Sequence, residues 1–191
     1  MLKAIVTGAY STGKSTLIRA LGTELRKDGL KIVELPDLAR SCPFPLNEAQ
    51  THSASLWLLT TQISREIEAS RGTETIMLCD RGVPDILAHY GEHVQYEDDP
   101  WFTSVSPLSE RWISTYDVVL FSQVDENIPI AVDGLRSEDP SYRRLLGARA
   151  TEVLSTRADA VVLAHDPAER VHQAREAIWL ALLWSRSSQS L

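Results

Sequence analysis

The stretch "GAYSTGKST", Gly8 to Thr16, sets glycine, four residues, glycine, lysine and serine in the order G-x-x-x-x-G-K-[ST]. Each residue type has a chemical use at that spacing. Gly8 and Gly13 let the chain curl so that successive backbone N–H groups, through Ser11 and Thr12, turn toward one centre. A helix that opens at the loop adds the positive end of its dipole. Lys14 is placed to reach β- and γ-phosphates, Ser15 to set a hydroxyl on Mg²⁺, and Thr16 to contact an α-phosphate. This is a Walker A loop, or P-loop, and its chemistry is the holding of a nucleotide's phosphates with Mg²⁺.

Three further stretches carry groups suited to the same anion or to a second substrate. "TIMLCDRG", residues 75–82, is an apolar run that ends in Asp80, the position and chemistry of a Walker B carboxylate on Mg²⁺. Arg81 follows at once, and neighbouring residues at a strand end diverge. Asp80 can therefore face the metal while Arg81 bonds an acceptor or phosphate in bidentate fashion. "ELPDLAR", residues 34–40, puts Glu34 and Asp37 near another strand end. Asp37 lies beyond the strand, where the crevice opens, and is the candidate to orient or deprotonate an acceptor hydroxyl. Arg40 is placed to steer substrate or hold that carboxylate. "DGLRSEDPSYRR", residues 133–144, brings Arg136, Arg143 and Arg144 into a polar segment. Arg136 and Arg143 are the leading candidates for cations that a lid carries over a transferring phosphoryl group.

These groups need a scaffold, and the apolar periodicity supplies one. Strands are expected at Leu2–Thr7, Lys31–Leu35, Thr75–Cys79, Asp117–Ser122 and Ala160–Ala164. Helices are expected at Lys14–Lys27, from about Asn47 (as N-cap) to Ser70, and at Pro84–Tyr90, Pro107–Thr115, Pro140–Ser155 and Pro167–Leu183. Alternation of strand and helix argues for an α/β fold, a parallel sheet covered on both faces. With 191 residues, no repeat and no composition break, the chain reads as a single domain over residues 1–185, with a frayed tail at 186–191.

Composition narrows the partners. A net charge of −7 argues against a broad nucleic-acid footprint. Cys42 and Cys79 form no disulfide framework and fit a reducing cytoplasm. The eight-residue run "AIWLALLW" is too short to span a bilayer and reads as a helix packed on the sheet, with Trp179 and Trp184 at its core or edge. The five histidines show no ligand spacing, so no metal beyond Mg²⁺ is expected. No N-K-x-D occurs, which counts against a guanine-reading switch.

Taken in order and spacing, "GAYSTGKST", "LPDLAR", "TTQISRE", "CDRG" with Asp85, and "DGLRSEDPSYRR" resemble the motifs of P-loop kinases of the nucleoside and nucleotide kinase kind. More narrowly, they resemble the AAA-like ATPase/kinase family that includes the nicotinamide riboside kinase domain of the bifunctional NAD-biosynthesis regulator. The likeness runs from about residue 2 to 175. It implies a P-loop NTPase fold with a five-stranded parallel sheet in the order 2-3-1-4-5 and a lid at about 133–148. It implies that Asp37 takes the acidic role, that Gln62 and Glu66 face the acceptor, and that Arg81, with Asp85 close by, binds it. Adenine is implied near "AHDPAER". The expected activity is transfer of the γ-phosphoryl of ATP to a hydroxyl of a small nucleoside- or nucleotide-like acceptor, of which nicotinamide riboside is one type. The alternatives are a regulatory ATPase switch and a kinase acting on nucleic acid. A homodimer is left open.

Overall fold

The computed structural model describes residues 1–92, 100–134 and 136–187. Five parallel strands form one sheet: β1 (Leu2–Thr7), β2 (Ile32–Leu35), β3 (Ile76–Asp80), β4 (Val118–Phe121) and β5 (Val161–Val162). Their order is β2-β3-β1-β4-β5, as the family resemblance implies. Helices α1 (Lys14–Lys27), α2 (His52–Ala69), α3 (Val83–Glu92), α4 (Pro100–Ile113), α5 (Pro140–Val153) and α6 (Pro167–Ser187) complete the fold.

Two-residue alternation sends each strand's side chains to opposite faces. Leu2, Ala4, Val6, Ile76, Leu78, Val118 and Leu120 pack against Leu17, Ile18, Leu21 and Leu25 of α1 and Ala174, Ile178 and Leu182 of α6. Ile5, Met77, Cys79, Val119 and Phe121 face the other way, onto Leu59 of α2, Val83 and Leu87 of α3, Ile113 of α4 and Ala150 of α5. Both faces are covered, so the central strands read as unbroken apolar runs. Truncating one of their fully buried residues, such as Leu120, to alanine costs about 2–5 kcal/mol.

The helix starts show where local chemistry decides. α2 begins at His52, with the Thr51 hydroxyl accepting from the Ala54 N–H at 3.3 Å. Asn47 is not its cap. Asn47 opens a separate 3-10 turn, Asn47–Ala49, at φ 57°, and extended Gln50 keeps the two apart. α4 begins at Pro100 rather than at Pro107, because Pro100 takes the first helical position, where a missing N–H costs nothing. Pro107 lies inside the helix. α6 runs on to Ser187, past the start expected for a frayed tail, and residues 188–191 lie outside the described residues. Trp179 is partly buried on the core, whereas Trp184 is 76% exposed.

At the carboxyl edge of the sheet, β1 leads to residues 8–13, β2 to Asp37, β3 to Arg81 and β4 to Ser122. The connections that leave neighbouring β1 and β3 there run to opposite faces, α1 to one and α3 and α4 to the other, which opens a crevice between them.

Candidate functional site

A cavity of about 550 Å³ occupies this crevice. One end is walled by Gly13, Lys14, Ser15 and Thr16, the other by Asp37, Arg40, Gln62 and Arg136, with Asp80, Arg81 and Asp85 between them.

The loop at the first end is fixed by its backbone. Gly8 sits at φ 129°, and a Cβ there would stand 2.2 Å from the Ser122 carbonyl oxygen, so only glycine fits. Gly13 takes the left-handed region at φ 81° and hands the chain to α1. The Gly8 N–H donates to Asp85 Oδ1 at 3.0 Å, and the Gly82 N–H donates to Asp85 Oδ2 at 3.1 Å. Asp85 thus clamps the loops after β1 and β3 together. The Thr12 hydroxyl donates to the Ala9 carbonyl at 3.0 Å. Ser11 Oγ accepts from the Ala131 N–H at 3.1 Å, and the Tyr10 hydroxyl donates to the Asp139 carbonyl at 3.1 Å. Those two bonds tie the loop to the segment that precedes α5.

Lys14 is 5% exposed, and its ammonium donates to the Gly8 carbonyl at 2.6 Å and to the Ala9 carbonyl. Burial, aided by the Arg81 charge, lowers its pKa to about 7 against the pull of Asp85, Asp80 and Asp37. Burial raises the Asp80 carboxyl above its ordinary range, while the Ser15 hydroxyl's hydrogen bond and the Lys14 charge hold it back. Ser15 and Asp80 are therefore adjacent hard oxygen donors. That set suits Mg²⁺, whose remaining ligands in such sites are water and phosphate oxygen.

Arg81 lies between the two ends. Its backbone takes φ 72°, a left-handed conformation that arginine rarely adopts, while its N–H still donates to the Val6 carbonyl at 3.0 Å. Its Nε donates to Asp37 Oδ2 at 2.8 Å, and its Nη1 reaches Asp85 Oδ1 at 3.3 Å and the Gly8 carbonyl at 3.4 Å. Burial opposes the charge, but Asp37 and Asp85 outweigh it and hold the guanidinium above its usual pKa. On Asp37, burial likewise works against the charge, but Arg81 and the Ala39 N–H (2.9 Å to Oδ1) bring the carboxyl below its usual range. Asp37 is thus a fixed carboxylate of low basicity. Glu34 does not reach the cavity: it pairs with Arg26 at 2.7 Å on the sheet edge.

The arginines of residues 133–144 part company. Arg136 lines the cavity, and its Nη1 stands 3.7 Å from Asp133 Oδ2, which also accepts from Arg40 Nη2 at 2.7 Å. The Ser137 hydroxyl bonds Glu48. Arg143 is buried on the inner face of α5, where Nη1 donates to the Ile128 carbonyl at 2.8 Å and Nη2 to the Asp125 carbonyl at 3.4 Å. It shapes the loop before α5 and does not line the cavity. Arg144, next in sequence, is exposed and 3.8 Å from Glu126.

Gln62 and Glu66 also separate. Gln62 lines the cavity, and its Nε2 donates to Glu66 Oε1 at 2.9 Å. Glu66, one turn on, lies deeper, and its carboxylate accepts from Lys3 at 3.0 Å, Trp112 Nε1 at 2.8 Å and the Tyr116 hydroxyl at 2.8 Å. The same Tyr116 oxygen accepts from the Val83 N–H at 3.2 Å, just past Arg81. No local sequence pattern joins this network, because its members lie on five separate elements or loops. Asp133 was also missed, although an acid three residues before Arg136 signals a local ion pair. The stretch "AHDPAER" contributes nothing to the cavity wall; its Arg170 lies behind Gly13.

A family model described as an AAA domain matches residues 3–170. Among solved structures, a NadR protein in complex with NR superposes with a TM-score of 0.71 at 19% identity over 93% of this chain and 50% of that one. A NadR protein in complex with NAD and AMP-PNP gives 0.66 at 19% identity, over 93% of this chain and 48% of the other. Deoxyadenosine kinase from M. mycoides, with products dCMP and dCDP bound, gives 0.64 at 16% identity, over 95% and 98%. The chain spans about half the length of the NadR chains it matches. No curated protein matches its sequence.

Proposed function

The chain belongs to the AAA domain family, and from that premise we propose that it is an ATP-dependent phosphotransferase acting on a small nucleoside- or nucleotide-like hydroxyl acceptor. The observation that carries this reading is the cavity that runs without a break from the phosphate loop to Asp37, Arg40 and Gln62. A nucleotide-hydrolysing switch needs the first end alone. The second end, with a fixed carboxylate, an amide and arginines, is suited to a polar second substrate. The kinase in the structural comparison and the bound AMP-PNP support the same reading.

In this proposal Gly8, Ser11, Thr12, Gly13 and Thr16 shape or contact the phosphate site. Lys14, half-neutral near pH 7, takes its full charge beside phosphate oxygens. Ser15 and Asp80 hold Mg²⁺, which neutralises charge on those oxygens. The Asp37 carboxylate accepts the acceptor's hydroxyl hydrogen and aims its oxygen at the γ-phosphorus. The low basicity of Asp37 suits such aiming, because a loose phosphoryl-transfer transition state asks for position and charge more than for early proton removal. Arg81 spans both substrates, Arg40 and Gln62 contact the acceptor, and Arg136 closes from the lid.

The test is an acceptor screen by mass spectrometry, with ATP, Mg²⁺ and pooled nucleosides, nucleotides, nicotinamide riboside and short oligonucleotides. A product heavier by one phosphoryl group, absent with Lys14→Ala, supports the proposal and identifies the acceptor. ADP formed by the wild type with no phosphorylated product would overturn it in favour of an ATPase switch. A phosphorylated oligonucleotide would move the acceptor to nucleic acid.

A further inference from the structure

Behind the phosphate loop, on the side away from the acceptor, stands Arg170. It is 8% exposed and rises from the first turn of α6. Its Nη1 donates to the Thr12 carbonyl at 2.8 Å and its Nη2 to Ser122 Oγ at 2.6 Å. The Ser122 hydroxyl in turn donates to the same Thr12 carbonyl at 2.9 Å. The Arg170 Nε is buried with no hydrogen-bond partner among the described residues. Nor does any described carboxylate form an ion pair with the guanidinium, and burial alone acts on its proton affinity.

Two consequences follow from this geometry. A trans peptide sets its C=O and N–H on opposite sides. With the Thr12 carbonyl drawn back by two donors, the Gly13 N–H is turned the other way, toward the cavity that Gly13 lines. The second consequence concerns charge. A buried cation with no anion beside it leaves its field uncancelled. Gly13 is close enough to feel that field, since a Cβ on it would stand 3.1 Å from Nη1.

We propose that Arg170 is a positioning residue for phosphate binding: it fixes the Thr12–Gly13 peptide in its anion-accepting orientation and supplies, from behind the loop, a charge that a bound phosphate balances. The inference rests on the reading of this loop as a nucleotide site. Arg170 touches no substrate and acts through the peptide and through its field.

Calorimetric titration of ADP with Mg²⁺ into wild type, Arg170→Lys and Arg170→Gln tests it, with thermal melting as the control for folding. Lysine keeps the charge and one bond to Thr12, whereas glutamine keeps a donor and loses the charge. The expected result is binding within about threefold of wild type for lysine and weaker by about tenfold for glutamine, as fits the loss of one charge-assisted contact. Folded Arg170→Gln that binds ADP as tightly as wild type would overturn the proposal and leave Arg170 a packing residue. If Arg170→Gln fails to fold, Ser122→Ala replaces it. That variant frees one of the two bonds on the Thr12 carbonyl, so affinity about threefold lower is expected, and unchanged affinity again overturns the idea. Wild type that binds no ADP overturns the nucleotide reading itself, and this inference with it, which separates the two failures.

Discussion

The two ends of the cavity are built by different means. At the phosphate end, peptide groups are held from several sides: Gly8 against the Ser122 carbonyl, Thr12 by Arg170 and Ser122, Gly8 and Gly82 across Asp85. At the acceptor end, Arg40, Asp133 and Arg136 meet side chain to side chain, from a 3-10 turn and an irregular segment before α5. Backbone held by close packing cannot be altered without disturbing the sheet that carries it. Ion pairs between partly exposed groups can be exchanged at little cost to the fold. On the proposed function, the difference gives phosphate handling to one end and the choice of second substrate to the other.

The largest effect expected from this division is at Lys14. Lys14→Ala should lower phosphoryl transfer by roughly a thousandfold or more, since it removes a preorganised charge from a buried site. Melting should stay level or rise, because the amine it removes is held down to about pH 7 by burial. A variant with near-normal turnover in a steady-state assay would erase the distinction between the ends. Next is Asp80→Asn. A drop of about a hundredfold at fixed Mg²⁺, partly recovered at higher Mg²⁺, is expected from the loss of one hard ligand. A drop that Mg²⁺ titration leaves untouched would mean that Asp80 serves the fold alone.

A subtler effect sharpens the electrostatic side of the comparison. Above about pH 7 the Lys14 amine of the free protein is largely neutral. Phosphate beside it favours the ammonium, so nucleotide binding takes up a proton at about pH 8.5 and little or none at about pH 6. Binding enthalpies for ADP in buffers of different ionisation enthalpy report that uptake directly; equal values at both pH settings would contradict it. The smallest effect belongs to the acceptor end. Arg40→Ala and Asp133→Ala should shift the KM for the acceptor by no more than about fivefold and leave the KM for ATP unchanged, as fits a partly exposed ion pair. A change confined to ATP would place these residues on the wrong side of the division.

What the sequence disclosed follows the same line. β1, the loop and α1 were legible because strand, glycine turn and helix are contiguous and each is set by local chemistry. Both faces of the sheet were legible from alternation. The Glu66 network was not, since Lys3, Trp112 and Tyr116 stand 63, 46 and 50 residues from it along the chain. Arg170 meets Thr12 across 158 residues, a separation that no local pattern encodes. Arg143 and Arg144 are indistinguishable as neighbours in a polar segment, yet the turn of α5 buries the first and exposes the second. Asn47 and Thr51 are both good caps by type, and the extended Gln50 between them decided which one opened α2. Residues 93–99, at the start of the stretch "HVQYEDDPWFTSVSPLSE", lie outside the described residues.

The left-handed backbone at Arg81 carries a consequence for how this chain would respond to selection. Glycine at that position would relieve about 1 kcal/mol of backbone strain. It would also leave the Asp37 and Asp85 carboxylates without their cation, a loss of about 3–5 kcal/mol for a buried pair. Robustness and turnover therefore make the same demand at position 81, and the strained backbone persists because the ion pairs outweigh it. Descendants bred in the laboratory for heat resistance and descendants bred for product formation should both keep arginine there.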